Sequence, residues 1–562
     1  MPGTHGCPLK VKGSPSAVAA GVVSTRPAST RASPTTGRRA GLLRRDATWV
    51  VLLALALSVL SWWHVLHQDL VLGYKDALSH LMIGRRVVVG ESTGLAQLGG
   101  IWLPLQHVLI STLAWNDALY LSGFAGSVFS MACHVATCLG LFLVVRDLTG
   151  SRAGGWAAAA VLGLNADVLY LQATPMGEPL MYAGMVWAVH AVLRWQRHGS
   201  TRWLFLGAGL CALLVLVRYE AWVFSAALWC VVAHACAVRR QRLWRGDQAA
   251  QGTLLVFGFY MALAVLGWLV WNAVLFGDWL HWYRGAWSSV DQMSRLDMSQ
   301  VGSWSRSWRT YAWGGIHTAG WLALVGGALG LLVAGARERG GPRFTALLTT
   351  TVPPAFLVYG LWSGSQPMRV VEVDGDLYNL RMAVVLVVPA ALFTGYLVGA
   401  LPRPTRAPGV RGAALAAVVV GSAGLLVSHA LSTPAVPVTA VEAGQARAAY
   451  AEQREVGRFV AERTTGRILA ESIFNEWVIF PNQDRVVYEG SAGAWDSALE
   501  RPADDDSDID VVVMRTTPGD EDSLALALHG SPRLAGFGVV LQTDNFLVLS
   551  KGAGDGTTLS RQ

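Results

Sequence analysis

Apolar stretches long enough to cross a lipid bilayer recur along this chain, and clusters of arginine separate them. No other feature constrains the fold as strongly. A bilayer core of ~30 Å needs about 20 apolar residues as helix. The stretches at 47–66, 117–145, 153–173, 179–193, 203–217, 220–238, 253–275, 313–335, 345–362, 382–401 and 412–431 meet or approach that length. Only 14% of the 562 residues are charged, 53% are hydrophobic and 24 are Trp; a soluble protein has too little core volume to hide that much apolar surface. The pattern predicts an α-helical polytopic membrane protein and excludes both a disordered chain and a secreted disulfide scaffold.

The segment 203–238 is nearly continuous apart from Arg218-Tyr219-Glu220. As one helix it would exceed ~50 Å, too long for an ordinary span, so it is read as two spans joined by a tight hairpin. The loops test that reading. With the N-terminus cytoplasmic, the inner loops hold Arg146 and Arg152, then Arg194, Arg197 and Arg202, then Arg239, Arg240, Arg242 and Arg245, then Arg337, Arg339 and Arg343, then Arg403, Arg406 and Arg411. Basic residues favour the cytoplasmic side, so eleven spans follow, with the N-terminus inside and the C-terminus outside, in the plasma membrane. The net charge of +7 is thereby a topology signal and not a sign of an acidic partner such as nucleic acid.

Residues 1–46, rich in Pro, Ser, Thr and Arg, read as a disordered basic cytoplasmic tail. Residues 47–431 form the transmembrane part. From 432 to 562 the chain turns acidic, and its apolar runs shrink to strand length at Arg467–Ala470, Arg485–Tyr488, Ile509–Met514, Gly538–Gln542 and Phe546–Leu549. Helical patterns lie between them, at about 439–464, 494–500 and 520–529. This predicts a small extracytoplasmic α/β domain. Of the six cysteines, Cys133 and Cys138 have a metal-pair spacing but sit within a span, where they read as helix-packing thiols.

Three outer segments, 67–116, 276–312 and 363–381, are too long for simple turns, and most acids of the membrane part fall at or near this face. The first two are rich in Trp (Trp102, Trp115, Trp279, Trp282, Trp287, Trp304 and Trp308), as suits helices at a membrane–water boundary or a surface that guides a lipid. In the first segment, Asp76 and His80 share one helix face at i, i+4. A carboxylate and an imidazole so placed can bind a divalent cation such as Mg²⁺ or Mn²⁺, or work as an acid–base pair; an incidental surface pair has the same spacing.

The stretch Tyr74-Lys75-Asp76-Ala77-Leu78-Ser79-His80, with Arg85-Arg86, then Gln97, Gly99, Trp102, Pro104-Leu105 and His107, resembles the first outer loop of a subset of C-type membrane glycosyltransferases. That superfamily includes the protein O-mannosyltransferases and the aminoarabinose transferases of lipid A. Thr174-Pro175 with Glu178, Arg218-Tyr219-Glu220, Phe276-Gly277-Asp278 and Tyr378-Asn379 with Arg381 extend the resemblance across 47–431. It implies a polyprenyl-phosphate-linked sugar as donor and a glycan, lipid or protein hydroxyl as acceptor, on the non-cytoplasmic face. Asp76 takes the place of the essential first-loop acid, a general base for an inverting transfer. Arg381 and Arg218 are the candidates for the leaving phosphate. Glu178 and Glu220 match acids placed beside the acceptor or a metal, although either also fits a helix N-terminus. His80, Trp102, His107 and Tyr378 are candidate substrate contacts. The usual Asp-Glu doublet is absent, since Ala77 follows Asp76, which leaves metal dependence open with Asp76 and His80 as candidate ligands.

Asp374-Gly375-Asp376 and Asp508-Ile509-Asp510 match the Asp-x-Asp signature of nucleotide-sugar enzymes, but both fall outside, where nucleotide sugars are scarce. The alternative function is a transporter of a lipid-linked or small polar substrate. It predicts ionisable groups near mid-span, and the span interiors hold essentially none.

Overall fold

The computed structural model describes residues 34–238, 248–286, 288–401, 421, 424, 437–491, 493–503 and 508–553. The chain divides into two compact units at the 46/47 boundary. In the first, residues 34–46 are helical, and the rest of the expected disordered tail lies outside the described residues. That helix starts at Pro34, a residue favoured in a first helical turn, and no proline follows until Pro104.

In the second unit, seven helices among the described residues are long and apolar enough to cross a membrane, or eight if one bent pair is a single span. This is short of the eleven expected. The expected span at 412–431 lies outside the described residues except for Gly421 and Gly424. The 179–193 and 203–217 spans are helices Glu178–His198 and Thr201–Leu214, neither counted among the seven. The span 153–173 bends by 65° between Arg152–Gly163 and Ala166–Gln172, where the Asn165 side chain caps Val168 N and also donates to Thr318 O. The span expected at 313–335 is interrupted at Gly320 (φ 77°), which separates helix Trp304–Ala319 from Trp321–Glu338. Only glycine adopts that backbone geometry without strain.

Helices 152–163 and 380–400 meet through glycine. A Cβ on Gly154 would stand 2.7 Å from the Gly395 carbonyl oxygen and 2.7 Å from Gly399 Cα. Small residues permit such backbone approach between membrane helices. Cys138 is buried and Cys133 partly so, both free, in helix Phe124–Thr149. His134 of the same helix is also buried, an ionisable mid-span group that a reading by loop charge passes over.

The C-terminal segment forms a five-stranded sheet in the order β2-β1-β3-β5-β4, with β1 Arg467–Leu469, β2 Val486–Val487, β3 Ile509–Arg515, β4 Phe537–Gln542 and β5 Phe546–Lys551. β1 runs parallel to β2 and β3, and β5 antiparallel to β3 and β4. Leu469, Val487, Val512, Met514 and Leu549 contribute to the core. The helical stretch 439–464 is two helices, Val438–Ala449 and Ala451–Arg463, divided at Tyr450. Ion pairs and hydrogen bonds join this segment to the first outer loop: Lys75 Nζ to Glu476 Oε1 at 3.1 Å, Arg467 to Glu91 at 2.8 Å, and Gln483 Nε2 to Met82 O at 2.9 Å.

Candidate active site

The first outer loop folds as helix Lys75–Arg86, with Asp76 in its first turn and Arg85 and Arg86 in its last, charges that suit the helix dipole. Arg85 is buried, donates to Ala114 O and pairs with Asp117 at 2.5 Å, which anchors the far end of the helix. Asp76 and His80 then open from one face into a cavity of about 130 Å³, lined also by Trp102, Gln106, Arg218, Tyr219, Glu220, Trp282, Gln366, Asn379 and Arg381.

Arg381 enters from the start of helix Leu380–Ala400, just after Asn379, whose φ of 55° makes a left-handed turn, a conformation that Asn tolerates better than most residues. Its Nη2 donates to Asp76 Oδ2, its Nη1 to Glu178 Oε1 at 3.1 Å and its Nε to Asn379 Oδ1 at 3.2 Å. Arg218 comes from the hairpin between helices 201–214 and Glu220–Val238. Its Nη1 donates to the same Glu178 oxygen at 3.0 Å, and its Nη2 and Nε grip the two oxygens of Glu220 at 2.8 and 3.3 Å. Three carboxylates thus face two guanidiniums. The Asp76 side chain is the open member at 37% exposed, against 5% for Arg381 and 3% for Glu178.

Burial alone would raise the Asp76 carboxyl, but Arg381, with His80 and Arg218, holds it below the usual carboxylate range. Burial, opposed by Asp76 and aided by the two arginines, pushes His80 down to about 3. Both His80 and His107 are therefore neutral. His80 Nδ1 lies 2.8 Å from His107 Nε2, and the Trp102 ring lies 4.3 Å from the His80 ring. Arg218 is held charged: burial works against it, and Glu178 and Glu220 outweigh burial.

Of the residues singled out from sequence, Asp76, His80, Trp102, Arg218, Glu220 and Arg381 line the cavity. Glu178 lies behind the two arginines and His107 behind His80. Tyr378 is 40% exposed and is not one of the lining residues; its backbone pairs with Arg369. Sequence reasoning missed Gln106, Trp282 and Gln366 as site residues. Gln106 Nε2 donates to Pro175 O at 2.6 Å, and Trp282 stacks on Tyr219 at 4.6 Å. The exposed Trp115, Trp279, Trp304 and Trp308 suit the interfacial reading, whereas Trp102 and Trp282 turn into the cavity. Trp287 lies outside the described residues.

A divalent cation would have to compete for these groups with the partners they already have. Asp76 is held by Arg381, Glu178 by both arginines, Glu220 by Arg218, and His80 Nδ1 by His107. The positive charge a metal would supply already comes from guanidinium. The Asp-x-Asp segments are occupied structurally. Asp374 accepts from Ser299 and Gln300, Asp376 pairs with Arg369, and Asp510 accepts from Arg467 N. A larger, open depression of about 650 Å³ includes Asp508 and Asp510, but mixes them with Arg467, Arg485 and Lys551 at the strand ends where β1 and β3 begin.

No family model matches the chain, and no curated protein matches it. Solved structures do. ArnT from Cupriavidus metallidurans bound to undecaprenyl phosphate is 14% identical, with a TM-score of 0.53 over 92% of this chain and 99% of that one. The apo state of the same protein is 13% identical, with a TM-score of 0.51 over 92% and 98%. The chain shares the fold of ArnT, and seven helices among its described residues are long and apolar enough to cross a membrane.

Proposed function

We propose that this C-type fold transfers a sugar from a polyprenyl-phosphate-linked donor to a hydroxyl of a glycan, lipid or protein acceptor, with Asp76 as general base. The observation that carries the reading is the Asp76–Arg381 ion pair at the cavity, in which the carboxylate is the more exposed partner. ArnT, of the same fold, is described bound to undecaprenyl phosphate.

The resting ion pairs satisfy every guanidinium, so the donor must compete for one. Its phosphodiester displaces Asp76 from Arg381, which leaves the carboxylate free beside the sugar. The acceptor O–H then gives its proton to Asp76 as its oxygen bonds the anomeric carbon and the C–O bond to phosphate breaks. Polyprenyl phosphate leaves with one more negative charge than it carried in the diester. Arg381 and Arg218 stabilise that developing charge, preorganised by Glu178 and Glu220 at no cost during the reaction. Attack opposite the leaving phosphate inverts the anomeric centre. Trp102 and His80 form the wall against which the sugar sits, His107 backs His80, and Tyr378 lies at the rim. On this reading 47–431 is the transmembrane catalytic part, and 432–562 lies with the site on the non-cytoplasmic side, opposite the arginine-rich loops and the cytoplasmic N-terminus.

The test is turnover by the purified full-length protein in nanodiscs with polyprenyl-phosphate-linked sugars. Release of polyprenyl phosphate matched by a glycosylated acceptor supports the reading. Substrate-driven flux in sealed liposomes with no covalent product would overturn it.

A further inference from the structure

Glu442 lies in none of the motifs, and the transfer chemistry leaves it without a role. It belongs to helix Val438–Ala449, the first of the C-terminal segment, and only 8% of it is exposed. Its carboxylate nevertheless accepts three hydrogen bonds beside the site. Oε2 accepts from the Tyr74 hydroxyl at 2.7 Å and from Leu380 N at 3.0 Å, and Oε1 accepts from Asn379 N.

The partners matter more than their number. Tyr74 is the cap residue of the helix that presents Asp76. Asn379 and Leu380 are the two residues that lead into Arg381, at the left-handed turn that opens its helix. N–H groups at a helix start have no partner within the helix and attract negative charge; here a carboxylate from more than sixty positions along the chain supplies it. The Tyr74 ring also stands under the Arg381 guanidinium, 5.6 Å from it. One side chain therefore ties the entry to Asp76 to the entry to Arg381, the two ends of the ion pair that opens onto the cavity.

We propose that Glu442 is a positioning residue that fixes the spacing of Asp76 and Arg381, so that the C-terminal segment completes the site. The functional consequence rests on the transfer reading above; the structural consequence does not. Neighbouring contacts of the same segment, such as Lys75 with Glu476 and Met82 O with Gln483, hold the helix of Asp76 but do not reach Arg381. Glu442 reaches both.

The experiment uses full-length protein in nanodiscs, as wild type, Glu442→Ala, Glu442→Gln, Arg381→Ala and the Glu442→Ala/Arg381→Ala double variant. Hydrogen–deuterium exchange needs no substrate. In Glu442→Ala, peptides covering 74–80 and 377–382 should exchange faster, while those within 390–400 stay as in wild type. Glu442→Gln keeps one acceptor oxygen and should fall between the two. With undecaprenyl phosphate as probe, Glu442→Ala should bind about tenfold more weakly, and kcat should fall by about 10²-fold, the scale expected of an ångström-sized misplacement. In the Arg381→Ala background, Glu442→Ala should weaken binding no further. A full additional tenfold loss there, or unchanged exchange at 377–382, overturns the proposal. If Glu442→Ala does not fold, Glu442→Gln and its exchange pattern decide. If wild type neither binds the probe nor transfers sugar, the transfer reading fails, and the exchange arm still decides the role of Glu442.

Discussion

Replacing Asp76 with Asn should move two measurements in opposite directions. The change keeps the shape of the side chain but removes the base and the charge that holds Arg381. General-base catalysis contributes about 10²–10⁴-fold, so kcat should fall by that amount. The phosphate of the lipid, however, no longer has to displace a carboxylate. A hydrogen bond to a charged group is worth about 1.5–3 kcal/mol; because Asp76 is 37% exposed, solvent screening favours the lower end. Since about 1.4 kcal/mol is tenfold in affinity, undecaprenyl phosphate should bind Asp76→Asn about tenfold more tightly than wild type. Arg381 keeps its second anchor on Glu178, so its aim should survive. Turnover by radiolabelled transfer and affinity by equilibrium binding in nanodiscs give both numbers. Unchanged turnover would remove Asp76 from the mechanism, and weaker lipid binding would refute the competition between carboxylate and phosphate.

Three further outcomes are expected. Because Arg381 holds the Asp76 pKa down, the ion pair should persist through the ordinary carboxylate range of about 4 and break only at lower pH; on acidification kcat/KM, which reports the free protein, should stay level to about pH 4, while the fall of kcat should set in at a higher pH than that of kcat/KM, once phosphate has drawn Arg381 away. Gly154→Ala places a Cβ 2.7 Å from the Gly395 carbonyl oxygen, and because backbone must give way it should lower stability by about 1–3 kcal/mol, read as an earlier thermal unfolding transition; an unchanged transition would refute the close approach. Gln483→Leu leaves the buried Tyr120 hydroxyl and Met82 carbonyl without their partner, at about 1–3 kcal/mol for a buried polar group, and proteolysis of the C-terminal segment should speed up accordingly.

The acids and arginines of the cavity were legible because charge is scarce in this chain and each charge at the outer ends of the spans stands out. Asp76, Glu178, the Arg218–Glu220 pair and Arg381 are separated widely in sequence, yet each sits at the mouth of a helix or hairpin, where the loop charges sort them to one face. The strands of the C-terminal segment were legible for a related reason: their apolar runs are short and bounded by turn residues. The break at Gly320 was not, because it is one of 61 glycines and nothing local marks it as one that interrupts a helix. The bend at Asn165 carried a signal, a capping residue inside an apolar run, that span length alone overlooks. Glu442 and Gln483 were invisible for a deeper reason. Their partners are fixed by tertiary packing across distant segments, and periodicity records which face a residue occupies but not what arrives on that face.

The hydrogen bond between His80 and His107 has a consequence for how the cavity reads a ligand. Two neutral imidazoles can share it in two tautomeric arrangements. If His80 Nδ1 carries the proton, His107 must hold its own on Nδ1, which is buried and has no partner among the described residues, and an orphaned N–H in the interior is the rarer and costlier defect. If His107 Nε2 carries the proton instead, Nδ1 keeps only an unused lone pair, and the proton of His80 moves to Nε2, the ring edge turned away from His107. The buried ring thus selects the polarity of the exposed one. At that position the cavity presents a donor, and it favours a ligand whose oxygen accepts there over one that can only give a proton.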